Sequence, residues 1–191
     1  MKFSQDWFSH NIPNFQHIKG RLGTVNSILE IGCFEGRATC WMLKNMLASD
    51  GSITCIDTFG GSEEHSSMGI KRSELVKTFT ENVGQAMKDT QDVTVIPLPS
   101  YNGIAKCITN EEEFDFIYVD GSHTAPDVMQ DACMAFGLLR SGGIMLFDDY
   151  LWTDMPGLLH RPKVAVDLFT TLFSEHANVI LLGYQLAIQK N

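Results

Sequence analysis

Short apolar runs alternate with amphipathic stretches along the chain, without internal repeats or low-complexity segments. Runs rich in Ile, Val, Leu and Phe predict strands over 27–31, 52–57, 93–97, 114–120, 143–148, 178–183 and 185–190. Apolar positions at helical spacing predict helices over 36–48, 73–88, 102–109, 125–139 and 163–176. Strand and helix alternate through the chain, and then two strands meet directly across Gly183-Tyr184. This order predicts an α/β fold: a single doubly wound, Rossmann-like domain with a mostly parallel, seven-stranded sheet. The last connection is too short for a crossover, so the final strand must run antiparallel, as a C-terminal hairpin strand. Residues 1–20 read as an N-terminal helical flap, with Trp7, Phe8 and Phe15 packing on a domain formed by 21–191. The long glycine- and serine-rich loop at 60–69 is expected to move or to serve the site.

Composition narrows the classes of partner. With 191 residues, 44% of them hydrophobic, the chain can bury a substantial core without disulfides or metals. No apolar run approaches the roughly 20 residues of a membrane span, and residues 1–6 do not begin a signal peptide. The expectation is a soluble, cytoplasmic protein. A formal charge of −9 without a basic cluster argues against nucleic acid and against a membrane surface. A small molecule is the expected partner, with association into a homo-oligomer left open. Cys33, Cys40, Cys55, Cys107 and Cys133 include no Cys-x-x-Cys and read as buried free thiols.

Residues 27–36, Ser-Ile-Leu-Glu-Ile-Gly-Cys-Phe-Glu-Gly, place an acid at the end of an apolar run, and then Gly-x-x-x-Gly before a helix. That is a strand turning tightly into a nucleotide-binding helix. It is not the dinucleotide fingerprint, which would need glycine where Phe34 stands. Asp57 ends the second strand, 21 residues after Gly36. An acid there can accept both hydrogens of a ribose diol, or it can cap a turn. Ser100 and Tyr101 follow the third strand, where a serine also serves as a helix cap.

The fourth and fifth strands end in Val119-Asp120-Gly121-Ser122-His123 and Phe147-Asp148-Asp149. Both ends lie on the ligand side of an open α/β sheet. Three carboxylates in one pocket repel one another unless a cation holds them ionised, and oxygen ligands select magnesium, calcium or manganese. Alternation along a strand sends Asp148 and Asp149 to opposite faces unless the strand has ended. His123 suits general-base work beside a hydroxyl; otherwise it is a loop histidine near a helix start.

Glu30-x-Gly32-x-x-x-Gly36 resembles the first motif of class I S-adenosylmethionine (SAM)-dependent methyltransferases. Over roughly 27–150 the ordered set resembles their metal-dependent O-methyltransferases, in particular those with Val-Asp-Gly-Ser-His that act on macrolide sugars. Two departures stand out: those proteins often carry asparagine or glutamate at the second acidic site, and no long lid is present here. The resemblance implies cofactor contacts at Glu30, Gly32, Cys33, Gly36, Asp57, Thr58, Ser100, Tyr101 and Asp120. It implies a metal, most simply magnesium, at Asp120, Asp148 and Asp149, and catalysis by His123 and Asp120. The expected activity is O-methylation of a small-molecule hydroxyl on a vicinal diol, as in a sugar or catechol, with Trp152 and Met155 near the acceptor. The alternatives are a metal-independent SAM methyltransferase and a non-methylating, hydroxylase-like member of the same superfamily.

Overall fold

A computed structural model describes residues 1–60 and 71–191. The expectation placed on the loop at 60–69 therefore lies, apart from Gly60, outside the described residues. The strands are β1 (Val25–Ile31), β2 (Leu47–Ile56), β3 (Asp92–Ile96), β4 (Phe114–Val119), β5 (Leu139–Phe147), β6 (Ala177–Leu182) and β7 (Leu186–Lys190). The α-helices are α1 (Ile12–Leu22), α2 (Arg37–Asn45), α3 (Arg72–Ala86), α4 (Ser100–Thr109), α5 (Ala125–Phe136) and α6 (Pro162–Leu172). The strands form one sheet in the order β3-β2-β1-β4-β5-β7-β6. The pairs from β3 through to β5 are parallel, and β7 is antiparallel to both β5 and β6. The predicted doubly wound sheet with its antiparallel terminal strand is thus the observed one.

A central parallel strand is covered on both faces and so loses the alternation of a half-buried strand. Phe114-Asp115-Phe116-Ile117-Tyr118-Val119 is buried at every position. Two apolar clusters follow, one on each face of the sheet: one gathers Phe15, Ile28, Met42, Phe79 and Phe116, the other Ile31, Ile104, Ile117, Ala132 and Phe169. No helix among the described residues is long and apolar enough to cross a membrane.

Several boundaries differ from the sequence expectation, and sheet pairing explains them. The helix expected over 36–48 stops at Asn45, and β2 begins at Leu47, five residues before the expected 52, because Leu47 pairs with Val25. Asp50-Gly51 carries turn chemistry yet lies inside this strand. Likewise β5 begins at Leu139, paired with Phe114, and runs through Ser141-Gly142-Gly143. The flap expected as a helix over 1–20 is non-helical up to a short 3-10 turn at Ser9–Asn11, after which α1 extends to Leu22. Phe8 and Phe15 are buried, and Phe15 meets Tyr118 edge-on at 5.0 Å, whereas Trp7 is half exposed against the ring of Phe34. Burial of Phe15 and Ile18 each stabilises the docking of α1 by roughly 1.5–3 kcal/mol. Four of the cysteines are buried as expected; Cys133, on α5, is exposed.

Candidate active site

Backbone hydrogen bonds align the carboxyl ends of four strands, β1, β2, β4 and β5. Gly32 N–H donates to Ile56 O at 2.8 Å, Asp120 N–H to Ile31 O at 2.8 Å and Asp148 N–H to Val119 O at 2.9 Å. The glycine turn, Asp57, Asp120 and Asp148 therefore open on one end of the sheet. Gly32 is obligatory there: at φ +86°, a Cβ would stand 2.0 Å from the carbonyl oxygen of Asp120. Gly36, at φ +79°, starts α2 in the left-handed region. The turn presents backbone amides at a helix N-terminus, the arrangement that receives a nucleotide cofactor in doubly wound folds.

Asp57 organises that turn. Its Oδ2 accepts from the amides of Cys33 at 2.7 Å and Phe34 at 2.9 Å, and Oδ1 accepts from Phe59 at 2.6 Å. A carboxylate offers about four acceptor positions, so capacity remains for a ligand hydroxyl. Thr58, exposed, accepts from Gly60 N–H at 3.0 Å. Glu30 does not face the cleft surface: it is 1% exposed, accepts from Thr39 Oγ1 at 2.5 Å and from Cys55 Sγ at 3.7 Å. Burial pushes its carboxyl up to about 8, against the opposing hydrogen bonds from Thr39 and Cys55. Cys33 is buried beside it, and burial pushes its thiol well up. Ser100 opens α4, half-buried, and Tyr101 is 46% exposed.

The acidic residues behave as one cluster. Strand β5 ends at Phe147, so Asp148 and Asp149 both lie beyond it, and Asp149 takes a left-handed conformation at φ +53°. This turn removes the alternation objection. Burial first, then the charges of Asp148 and Asp149, push the Asp120 carboxyl well up. Asp148 is pushed up by burial and by Asp149, and Tyr118, the Asp149 amide and Gln185 oppose the shift. Tyr118 Oη donates to Asp148, Asn11 Nδ2 donates to its Oδ2 at 3.2 Å, and the Asp149 amide donates to its Oδ1 at 2.8 Å.

His123 faces Asp149, with Nε2 2.7 Å from Oδ2, and its ring stacks on Trp152 at 4.5 Å between centroids. A carboxylate on one ring nitrogen fixes the imidazole's orientation. Tyr184 adjoins Asp149, and burial first and then that charge hold its hydroxyl above its usual range. Arg161 is engaged with the carbonyls of Met155 and His160, and Lys163 with Tyr150 and Asp167.

The structure therefore brings Asp120, Asp148, Asp149 and His123 together, with the glycine turn and Asp57 alongside. The donor chemistry of the three carboxylates fits a hard divalent cation, since burial and mutual repulsion oppose their joint ionisation without one. They do not form a closed set of ligand atoms. Among the described residues only Glu30, Cys33 and Cys55 place their ligand atoms within 4.8 Å of one another, and that trio is buried beneath the glycine turn. Sequence reasoning missed Tyr118, Asn11, Gln185 and Tyr184. Tyr118 was within reach, because it lies two residues before Asp120 on the same strand face.

A seven-stranded sheet of this order, ending in an antiparallel strand, is the Rossmann-like methyltransferase fold. A family model described as a methyltransferase domain matches residues 29–150, and the chain belongs to that family. Among solved structures, the fold is similar to the O-methyltransferase TomG from Streptomyces achromogenes, in complex with SAM: 20% identity, 94% of this chain and 80% of that one, TM-score 0.58. It is similar to the O-methyltransferase from Bacillus cereus in complex with SAH: 19% identity, 98% and 84% covered, TM-score 0.61. It is also similar to the O-methyltransferase NovP: 16% identity, 94% and 80% covered, TM-score 0.66. No curated protein matches the chain.

Proposed function

We propose that the chain is a SAM-dependent O-methyltransferase, assisted by a divalent metal such as magnesium, that methylates a hydroxyl on a small molecule carrying a vicinal diol. A sugar or a catechol has that chemistry, and neither nucleic acid nor membrane is a partner in this reading. The observation that carries it is the meeting of Asp120, Asp148, Asp149 and His123 at the mouth of the glycine-turn cleft. The similar folds of three O-methyltransferases favour oxygen as the acceptor atom in this reading.

In this reading Asp57 holds the nucleoside end of the cofactor through its remaining acceptor position, and its bonds to the Cys33 and Phe34 amides fix the glycine turn beside it. Asp120, next to the turn, faces the sulfonium end. Asp120, Asp148 and Asp149 hold the metal, which supplies a lowered acceptor pKa and orientation of two neighbouring oxygens. His123, held by Asp149 and stacked on Trp152, takes the proton from the acceptor hydroxyl. Residues 1–20 act as a flap, with Asn11 reaching Asp148. Methyl transfer is an in-line displacement, so these residues work chiefly by aligning acceptor and donor and by excluding water.

One observation favours a second reading. The His123–Asp149 pair at 2.7 Å is a held base in its own right, and it can act without metal. Transfer of labelled methyl groups from SAM to a panel of sugar and catechol diols separates the two. Loss of transfer on chelation and its return with magnesium support the metal-assisted reading; unchanged transfer selects the other.

A further inference from the structure

Helix α2 has two faces with different neighbours. Ala38, Thr39, Met42 and Leu43 are buried. Arg37, Cys40, Trp41 and Lys44, at i, i+3, i+4 and i+7, share the other face, which the N-terminal segment meets. Between segment and helix lies a cavity of about 400 Å³, partly open to solvent, walled by Phe3, Phe8, Ile12 and Trp41. A space of this order, apolar with a few polar groups, is what a small ligand occupies. None of the residues given above to the cofactor, the metal or the acceptor lines it.

The polar groups at this cavity are cations, although the chain carries a formal charge of −9. Arg37 is neutralised: Nε and Nη2 each donate to Asp6 at 2.8 Å, and Nη2 donates to Ser9 Oγ at 2.7 Å. Lys19 donates to the carbonyl of Asn45, which lines the rim. Lys44 lacks such an anchor. Its Nζ meets Met1 Sδ at 3.7 Å, a weak acceptor, and no carboxylate pairs with it among the described residues. Its charge is nonetheless felt inside: burial and then Glu30 push the Cys40 thiol up to about 12, and Lys44 opposes them.

We propose that this cavity binds a small apolar monocarboxylate, its carbon body against Phe8, Ile12 and Trp41 and its carboxylate on Lys44. One ammonium without a carboxylate partner matches one negative charge, whereas a dianion would need the cation that Asp6 already holds. The aromatic and aliphatic walls take up the apolar body. This site stands apart from the cofactor cleft and does not depend on the SAM reading.

Nuclear magnetic resonance titration of the full chain with hexanoate and with its neutral isostere hexanamide tests it, read at the indole N–H signal of Trp41. Loss of a signal in Trp41→Phe assigns it; should that variant not fold, Trp7→Phe and Trp152→Phe assign it by elimination. Hexanoate should move this signal with a dissociation constant below about 1 mM. It should bind at least about threefold more tightly than hexanamide, because the ion pair adds to the same apolar contact. Lys44→Gln, at an exposed position, should lose at least half of that preference. Saturating S-adenosylhomocysteine (SAH) should leave the hexanoate affinity within about twofold, because the cavity shares no residue with the cofactor cleft. An unmoved Trp41 signal, weaker binding than 1 mM, a wild-type preference below threefold, or a variant that keeps more than half of it overturns the proposal. Displacement of hexanoate by SAH overturns it too, by placing the acid in the cofactor cleft. A chain that takes up no SAH defeats the SAM reading and leaves the hexanoate result to decide this one.

Discussion

Glu30→Gln should stabilise the protein above neutral pH and change it little near pH 5. The Glu30 carboxyl is raised from 4.5 to about 8, chiefly by burial. Between those values the unfolded chain has lost its proton and the folded chain keeps it, so folding stability falls by about 1.4 kcal/mol per pH unit. The stability is fully present below pH 4.5 and is lost as pH rises through about 8. Over the whole window this amounts to about 5 kcal/mol, and by pH 7 to about 3 kcal/mol. Against a typical total of about 5–15 kcal/mol that is a large share. Glutamine keeps a carbonyl for the Thr39 hydroxyl and removes the titration. The assay is urea unfolding of both proteins from pH 5 to pH 9, in the absence of ligand. Because Asp120 and Asp148 also titrate upward, the quantity to follow is the difference between the two proteins. A difference that stays constant across this range would mean that Glu30 is already ionised in the folded chain, against the expected rise of its carboxyl.

Three further substitutions probe the turn, the cofactor contact and the base. Gly32→Ala must place a Cβ 2.0 Å from the Asp120 carbonyl at φ +86°, so it should cost at least about 3 kcal/mol in urea unfolding; a near-neutral effect would mean the strand ends are not so close. Asp57→Ala leaves the amides of Cys33, Phe34 and Phe59 without their acceptor, and SAH affinity measured by calorimetry should drop by about 1.5–3 kcal/mol. Unchanged affinity would restrict Asp57 to the turn. His123→Gln should slow methyl transfer to a diol acceptor by about a hundredfold while SAH affinity stays the same, and a variant at the wild-type rate would return His123 to a loop role.

The fold was legible because buried parallel strands read as continuous apolar runs, and each is punctuated by turn residues at the cleft end. Asp120 was legible for the same reason: it closes the buried run Phe-Asp-Phe-Ile-Tyr-Val at the cleft end of the sheet. Strand starts were not, since Leu47 and Leu139 join the sheet by pairing with Val25 and Phe114, which no local signal encodes. Local reading found His123 and Asp149 but not their pairing, which depends on the left-handed turn at Asp149. Asn11 was out of reach, because it meets Asp148 across 137 residues of chain. Asp57 plays the turn role its position at a strand end offered, for it holds three turn amides, and it retains one acceptor position.

The most direct measurement is a sequential calorimetric titration: SAH into the wild-type chain, then magnesium into the complex, then the same pair of titrations on Asp148→Asn. One SAH should bind per wild-type chain and one magnesium per complex. In the variant SAH affinity should stay within about twofold of wild type and magnesium affinity should be at least about tenfold weaker, because a carboxylate ligand has become a neutral amide. A folded wild-type chain that takes up no SAH contradicts the cofactor site, and a variant that binds magnesium as tightly as wild type contradicts the acidic metal site.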